Sequence, residues 1–209
     1  MPTLSPDMPR LPDNLTEHFE LPDEDEYEAC LFNEADMAHE RLVAREFRQC
    51  VFRRCTLTDA LLTRAAFVDV IFDHCDLSRA NLDSALFQRV TFDTCRLSGA
   101  DMVQAILRNA TLTGCKADYL NLSEAKLDHV AFTDTILTEA AFETVTHKSA
   151  EFASCDLTRA TLFRTSLRGL DLRTCTIDGL TVNLPDLRGL IVTPLQAMEL
   201  SKLLGLVVK

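Results

Sequence analysis

Eight cysteines and five histidines have the widest chemical repertoire in this chain of 209 residues. Thiols and imidazoles could build disulfides, a zinc site or a nucleophile paired with a base. Their spacing argues for something else. Cys55, Cys75, Cys95 and Cys115 are twenty residues apart, Cys155 and Cys175 keep that interval, and so do Cys30 and Cys50. No Cys-x-x-Cys pair, Ser elbow or Gly-rich phosphate loop occurs. The carboxylates carry a different message. Thirty-two acids against twenty-one bases leave a net charge of −11, which suits a basic partner.

The element that positions these residues has a period of five. In "CDLSRANLDSALF" the large apolar residues are Leu77, Leu82 and Phe87, a spacing that fits neither a helix nor a strand. Stepping by five in both directions gives an unbroken apolar frame from Tyr27 to Val192, with His147 its one polar intruder after Ala117. Ten of the twelve Phe fall on it. Two residues before each centre the chain is small and apolar, as at Cys75, Ala80, Ala85 and Val90. Both positions therefore point inward. Two residues after the centre lie five of the six glycines, the register expected to turn a corner. Such a repeat outranks every local signal.

The interval of twenty then means four units per coil, with like residues stacked. Phe47, Phe67 and Phe87 form one column, and Phe52, Phe72 and Phe92 another. Residues 27–192 make about eight coils and a rod roughly 40 Å long at the 4.8 Å strand spacing. One side is too short to bury its apolar residues, so only stacking supplies a core. All eight cysteines fall at the inward small position, where they pack as small hydrophobes. His74 points outward beside inward Cys75, so the two cannot share a metal. His18 and His39 lie outside the regular coils, and His129 takes an outward corner. His147, at an inward centre, reads as a buried, hydrogen-bonded side chain or a local bulge. A filled rod offers no substrate pocket, so no catalytic, cofactor or metal residue is assigned and an enzyme is not expected.

Units such as Ala80-Asn81-Leu82-Asp83-Ser84 and Ala100-Asp101-Met102-Val103-Gln104 resemble the A-(D/N)-L-x-x signature of pentapeptide-repeat proteins. The resemblance implies an all-β fold, a right-handed quadrilateral parallel β-helix, with a short C-terminal α-helix. Three segments follow. Residues 1–26 hold five of the seven prolines and eight acids against Arg10, and read as an extended or disordered segment that partly covers the N-terminal edge. Residues 27–192 are the β-helix. In residues 193–209, Thr193, Pro194 and Gln196 look like an N-cap, a first-turn proline and a capping box, and Gly205 stops the helix.

"TPLQAMELSKLLGLVVK" is similar to the ending of the Qnr and MfpA branch of the family. That likeness implies an end-to-end homodimer through Leu200, Leu203, Leu204 and Val207. It also implies a DNA-mimicking protein that binds DNA gyrase or topoisomerase IV, with no direct nucleic-acid binding. The acids expected to engage such a partner are Asp73, Asp93, Asp134 and Glu151 on one side of the rod, and Asp83, Asp101, Glu124 and Glu143 on another. The unbroken frame leaves no room for the loops that some Qnr proteins carry. The alternative is a scaffold with an unrelated protein partner, its charges serving solubility alone. No run of about 18 apolar residues and no secretory signal is present, so a cytoplasmic protein without membrane contact is expected.

Overall fold

The computed structural model describes residues 5–21 and 24–206. The repeat folds as a four-sided parallel β-solenoid, and the five-residue frame sets its register. β1 (Thr16–His18), β3 (Cys30–Asn33) and β5 (Val51–Arg53) stack on one side, while β2 (Glu26–Glu28) and β4 (Glu46–Arg48) stack on its neighbour. From there both sides run together in β6 (Ala66–Asp73), β7 (Leu86–Asp93), β8 (Ile106–Thr113), β9 (Lys126–Thr133) and β10 (Thr146–Ala153). Pairing joins residues twenty apart, Phe67 with Phe87 and Phe72 with Phe92 among them. We number the sides by their centres: first Phe67, second Phe72, third Leu77, fourth Leu82.

The third and fourth sides are not strands but tight turns joined to neighbouring coils by single bridges, such as Asp76 to Arg96 and Asn81 to Asp101. The sequence explains the difference. At Asp36, Asp76, Asn81, Asp101, Asn121 and Asp156 the residue before the centre has a side-chain oxygen that accepts an N–H two residues on, as in Ser78 to Asp76 at 2.9 Å and Asp83 to Asn81 at 3.0 Å. A β-turn follows, closed by Ala80 N–H to Leu77 O at 3.1 Å. On the second side the same position holds Val51, Ile71 and Thr91, which favour extended backbone.

The corner register is confirmed at every coil. Each fifth residue from Ala29 to Arg164 has φ between 50° and 66°, with the one exception of Ser149. Glycine takes this register only at some corners, so most are non-glycine residues held in a left-handed conformation by the stacked coils around them.

The core is a stack of like residues. Phe52, Phe72 and Phe92 stack with centroids 4.8 Å apart, and Phe47, Phe67 and Phe87 at 5.1–5.2 Å. Across the coil the two columns meet edge to face, Phe67 and Phe72 at 5.4 Å. All eight cysteines are buried and free, as their register requires. Their thiols are not idle. Cys75, Cys95 and Cys115 donate to the inward carbonyls of Phe52, Phe72 and Phe92 at 3.3–3.5 Å. Thr135 takes the next place in the column and its hydroxyl donates to Leu112 O at 3.1 Å. Among the described residues no buried side-chain nitrogen or oxygen lacks a partner.

Of the two readings of His147, the structure takes the bulge. Register shifts at His147–Ser149 and Ser149–Ala150, and the half-exposed ring meets Ser166 O at 2.6 Å. An inward imidazole would have had to leave the wall of apolar stems unpaired; the bulge instead turns it to a carbonyl.

At the C-terminus α1 (Pro194–Ser201) forms with the expected capping box, Gln196 N–H to Thr193 Oγ1 at 3.2 Å and Thr193 N–H to Gln196 Oε1 at 2.8 Å. Gln196 also donates to Leu172 O and Cys175 O at 2.7 and 2.8 Å, which ties the helix to the last coils. At the other end β1 pairs with β3 and covers the first strand edge.

Candidate partner-binding faces

Outward residues of consecutive units fall on consecutive sides, so charge can be assigned side by side. The first side is basic between Arg45 and Gly169: Arg45, Arg48, Arg89, Arg108, Lys126, Lys148 and Arg168 oppose Glu46, Asp69 and Asp128. The other three lean acidic. Asp73, Asp93, Asp134 and Glu151 share the second side with Arg53 and Arg54; Asp59, Asp76, Asp118, Glu139 and Asp156 share the third with Arg79, Arg96, Lys116 and Arg159. Asp83, Asp101, Glu124 and Glu143 share the fourth with Arg64 and Arg164. The two sets of expected acids thus lie on the second and fourth sides, which face away from each other. They form two rails rather than one stripe.

Several of these acids also have work within the rod. Asp73 is directly opposite Asp93 across the pairing, a like-charge contact relieved by Arg53 at 3.3 Å and His74 at 2.5 Å. The hydrogen bond from His74, ahead of the Arg53 contact, holds the Asp73 carboxyl below its ordinary range. Thr94 donates to Asp93 at 2.9 Å. Asp101 accepts Val103 N–H at 3.2 Å and so shapes its own turn. Ser84 donates to Asp83 at 3.1 Å, Gln104 to Glu124 at 2.9 Å, and Arg164 lies 3.9 Å from Glu143. Asp134 and Glu151 stand at an outward corner and an outward strand position on the second side. Opposite charges recur one coil apart elsewhere, as in Asp59–Arg79 at 2.7 Å and Asp128–Lys148 at 3.1 Å. These pairs staple successive coils.

The most enclosed pair was not foreseen. Arg89 grips Asp69 with two hydrogen bonds of 2.6 and 2.7 Å, their side chains 17% and 9% exposed. Burial pushes the Asp69 carboxyl up, but the Arg89 guanidinium and the Arg10 N–H outweigh it and hold it below the usual range. What encloses the pair is the N-terminal segment, whose prolines at 6, 9 and 12 were the available signal.

At the C-terminal end Leu200 is half-buried against the core and lines an apolar groove of about 230 Å³ with Leu184, Leu187, Leu190, Val192, Ala197 and Leu204. Leu203 and Leu204 are exposed, together with Leu195, Met198 and Leu206. Val207 lies outside the described residues. Phe163, an outward residue of the fourth side, is half-buried rather than free. The structure brings no three His, Cys, Asp or Glu side chains together as metal ligands among the described residues. Burial raises the thiols of Cys50 and Cys115 to about 12 and about 11, which keeps them protonated and unreactive. No helix among the described residues is long and apolar enough to cross a membrane.

Residues 85–162 match the family profile described as pentapeptide repeat region, and residues 46–79 the profile of pentapeptide repeats. No curated protein matches the chain. Similar solved structures include HetL, a pentapeptide repeat protein involved in heterocyst differentiation regulation from the cyanobacterium Nostoc sp. strain PCC 7120. It is 17% identical over 83% of this chain and 86% of its own, with a TM-score of 0.48. QnrB1, a plasmid-mediated fluoroquinolone resistance protein, is 22% identical over 94% of this chain and 97% of its own, with a TM-score of 0.44. A pentapeptide repeat protein from the Arabidopsis thaliana thylakoid lumen is 21% identical over 58% and 68%, with a TM-score of 0.33.

Proposed function

The chain belongs to the pentapeptide-repeat family, and from that premise we propose that it is a non-enzymatic, DNA-mimicking protein that binds a type II topoisomerase of the gyrase or topoisomerase IV kind. One observation carries the reading: acids outnumber bases on the second, third and fourth sides, while bases gather on the first. Duplex DNA presents two rows of negative charge to a protein that grips it from both flanks. Here the rails of Asp73, Asp93, Asp134 and Glu151, and of Asp83, Asp101, Glu124 and Glu143, flank a third side that is nearly balanced, with five acids to four bases. The filled core supports a surface function, since stacked Phe and Leu leave no interior for a substrate.

Two copies joined through the exposed leucines of the C-terminal helix would give a two-fold rod, roughly 80 Å long at the strand spacing, to match a two-fold DNA gate. The solenoid contributes rigidity, its coils joined by paired strands and single bridges, so charge positions are fixed before binding and little ordering cost is added on association.

A second reading is favoured by the pairing of Asp59, Asp73, Glu139 and Glu143 with arginines near one coil away. On that view the charges staple coils, and the rod is a scaffold for another protein. Charge reversal separates the two. Asp93→Lys with Asp134→Lys on the second side, and Asp83→Lys with Glu124→Lys on the fourth, spare Asp73 and Glu143, which pair with Arg53 and Arg164. Each double variant should weaken binding to purified gyrase at least tenfold while leaving the melting temperature within a few degrees. Unchanged affinity in both variants removes the topoisomerase reading.

A further inference from the structure

Residues 5–13 lie outside the repeat yet bond to three of its coils. The Asp7 N–H donates to Asn109 Oδ1 at 3.1 Å, and the Arg10 N–H donates to Asp69 Oδ1 at 2.9 Å. Gln49 Nε2 donates to the Arg10 carbonyl at 3.0 Å. Gln49, Asp69, Arg89 and Asn109 form one column, twenty residues apart, at the corner between the first and second sides. All four have positive φ. Three of the four bond to the segment, and Arg89 holds Asp69 in place between them.

The rhythm of the segment matches that column. Pro6, Pro9 and Pro12 recur every third residue. Pro6 is buried and Pro9, Leu11 and Pro12 are half-buried, whereas Asp7, Met8 and Arg10 are exposed. One face inward at a period of three is the pattern of a polyproline II helix, which rises about 3.1 Å per residue. A β-strand, with its period of two, would put Pro6 and Pro9 on opposite faces. One polyproline II turn covers about 9.3 Å, and two coils cover about 9.6 Å at the strand spacing. N–H groups three residues apart can thus meet acceptors forty residues apart, as Asp7 and Arg10 do. The residues turned toward the rod are prolines, which bring no N–H that the corner would have to satisfy.

We propose that the corner column Gln49–Asp69–Arg89–Asn109 is a recognition track for proline-rich peptides in the polyproline II conformation, with residues 5–13 as its resident, releasable occupant. The ligand class is an extended peptide with prolines three apart. The track is independent of the acidic rails and stands whether or not a topoisomerase is the partner.

Two measurements test it. In the unaltered full-length chain, amide exchange followed by NMR should be slowed at least tenfold at Asp7 and Arg10 relative to Met8 and Leu11. Exchange equally fast at all four overturns the proposal. In a second protein a protease site is inserted between Asp13 and Asn14, and the folded chain is cut. The freed fragment should either co-elute with the rod on gel filtration or, once washed away, be replaced by fluorescein-labelled SPDMPRLPD, seen as saturable anisotropy. A labelled peptide with one alanine inserted between Met8 and Pro9 should bind at least tenfold more weakly, and the uncut chain should bind neither. A fragment that leaves with no rebinding, a shifted peptide that binds equally well, or equal binding to uncut protein each defeats the proposal.

Discussion

Replacing Phe72 with alanine should cost about 3–5 kcal/mol, the range for truncating a core Phe whose surroundings relax only partly. The ring is fully buried, stacked on Phe52 and Phe92 at 4.8 Å each and met edge-on by Phe67 at 5.4 Å. Lost ring pairs add about 0.5–1.5 kcal/mol each to the transfer cost, so the upper part of that range applies. Stacking also limits collapse, because the rings above and below are fixed at the strand spacing and cannot close a gap one coil deep. Phe152 is the internal comparison. It keeps one stacked neighbour, Phe132 at 4.8 Å, beside the bulge at His147, and it is 5% exposed. Phe152→Ala should therefore cost less, about 2–3 kcal/mol. Urea unfolding followed by far-UV circular dichroism would show the difference: with a slope of about 2 kcal/mol per molar, the Phe72 variant's midpoint falls by about 2 M and the Phe152 variant's by about 1 M. A Phe72→Ala cost below about 1 kcal/mol, or the reverse order, would refute the stacked-column account of stability.

The thiols, the helix and the strap formed by residues 5–13 can each be tested. In native protein few or none of the eight cysteines should react with a thiol reagent, and all eight should react after denaturation; prompt labelling of most would overturn the inward register. Gln196→Ala removes the bonds to Leu172 O and Cys175 O as well as the capping box, and should speed amide exchange in α1 about tenfold while the coils are unchanged. Deleting residues 194–209 should convert a dimer, seen by light scattering of the full chain, into monomers or aggregates; a full-length chain that is monomeric at high micromolar concentration removes the dimer. The Asp69 carboxyl is held below its ordinary range in the folded chain, so its contribution is complete above the unfolded value of about 3.9 and is lost as pH falls through the folded value. Arg10 amide protection should accordingly persist at pH 5 and above and fade on acidification below about pH 4; protection that rises on acidification would contradict the assignment.

Much of the fold was legible because the repeat is covalent information at every fifth residue: the centre and its small neighbour each carry one chemistry from coil to coil. Phe72, Cys75 and Leu77 lie where that frame puts them. The split into two stranded and two turned sides was also written there, in Asp76 and Asn81 against Ile71, but it depends on a short side-chain bond that periodicity does not reveal. The candidate site was less legible. Register placed Asp73 and Asp83 outward, yet whether a carboxylate faces solvent or an arginine depends on the residue one coil away, as Arg53 does for Asp73. Asp101 serves its own turn for the same local reason as Asn81. The strap escaped a five-residue frame because it runs along the rod at a period of three, and its partners at Asp69 and Asn109 lie 59 and 102 residues away in the chain.

The central claim is that two acidic rails on a rigid rod stand in for duplex DNA. Competition on a topoisomerase tests it most directly: purified gyrase is bound to a fluorescent DNA duplex at low salt and titrated with the full-length protein. The account predicts that the protein displaces the duplex stoichiometrically and that its apparent affinity falls at least tenfold between 50 and 200 mM salt, as an electrostatic mimic requires. Duplex that stays bound at saturating protein, or displacement that is indifferent to salt, would contradict it.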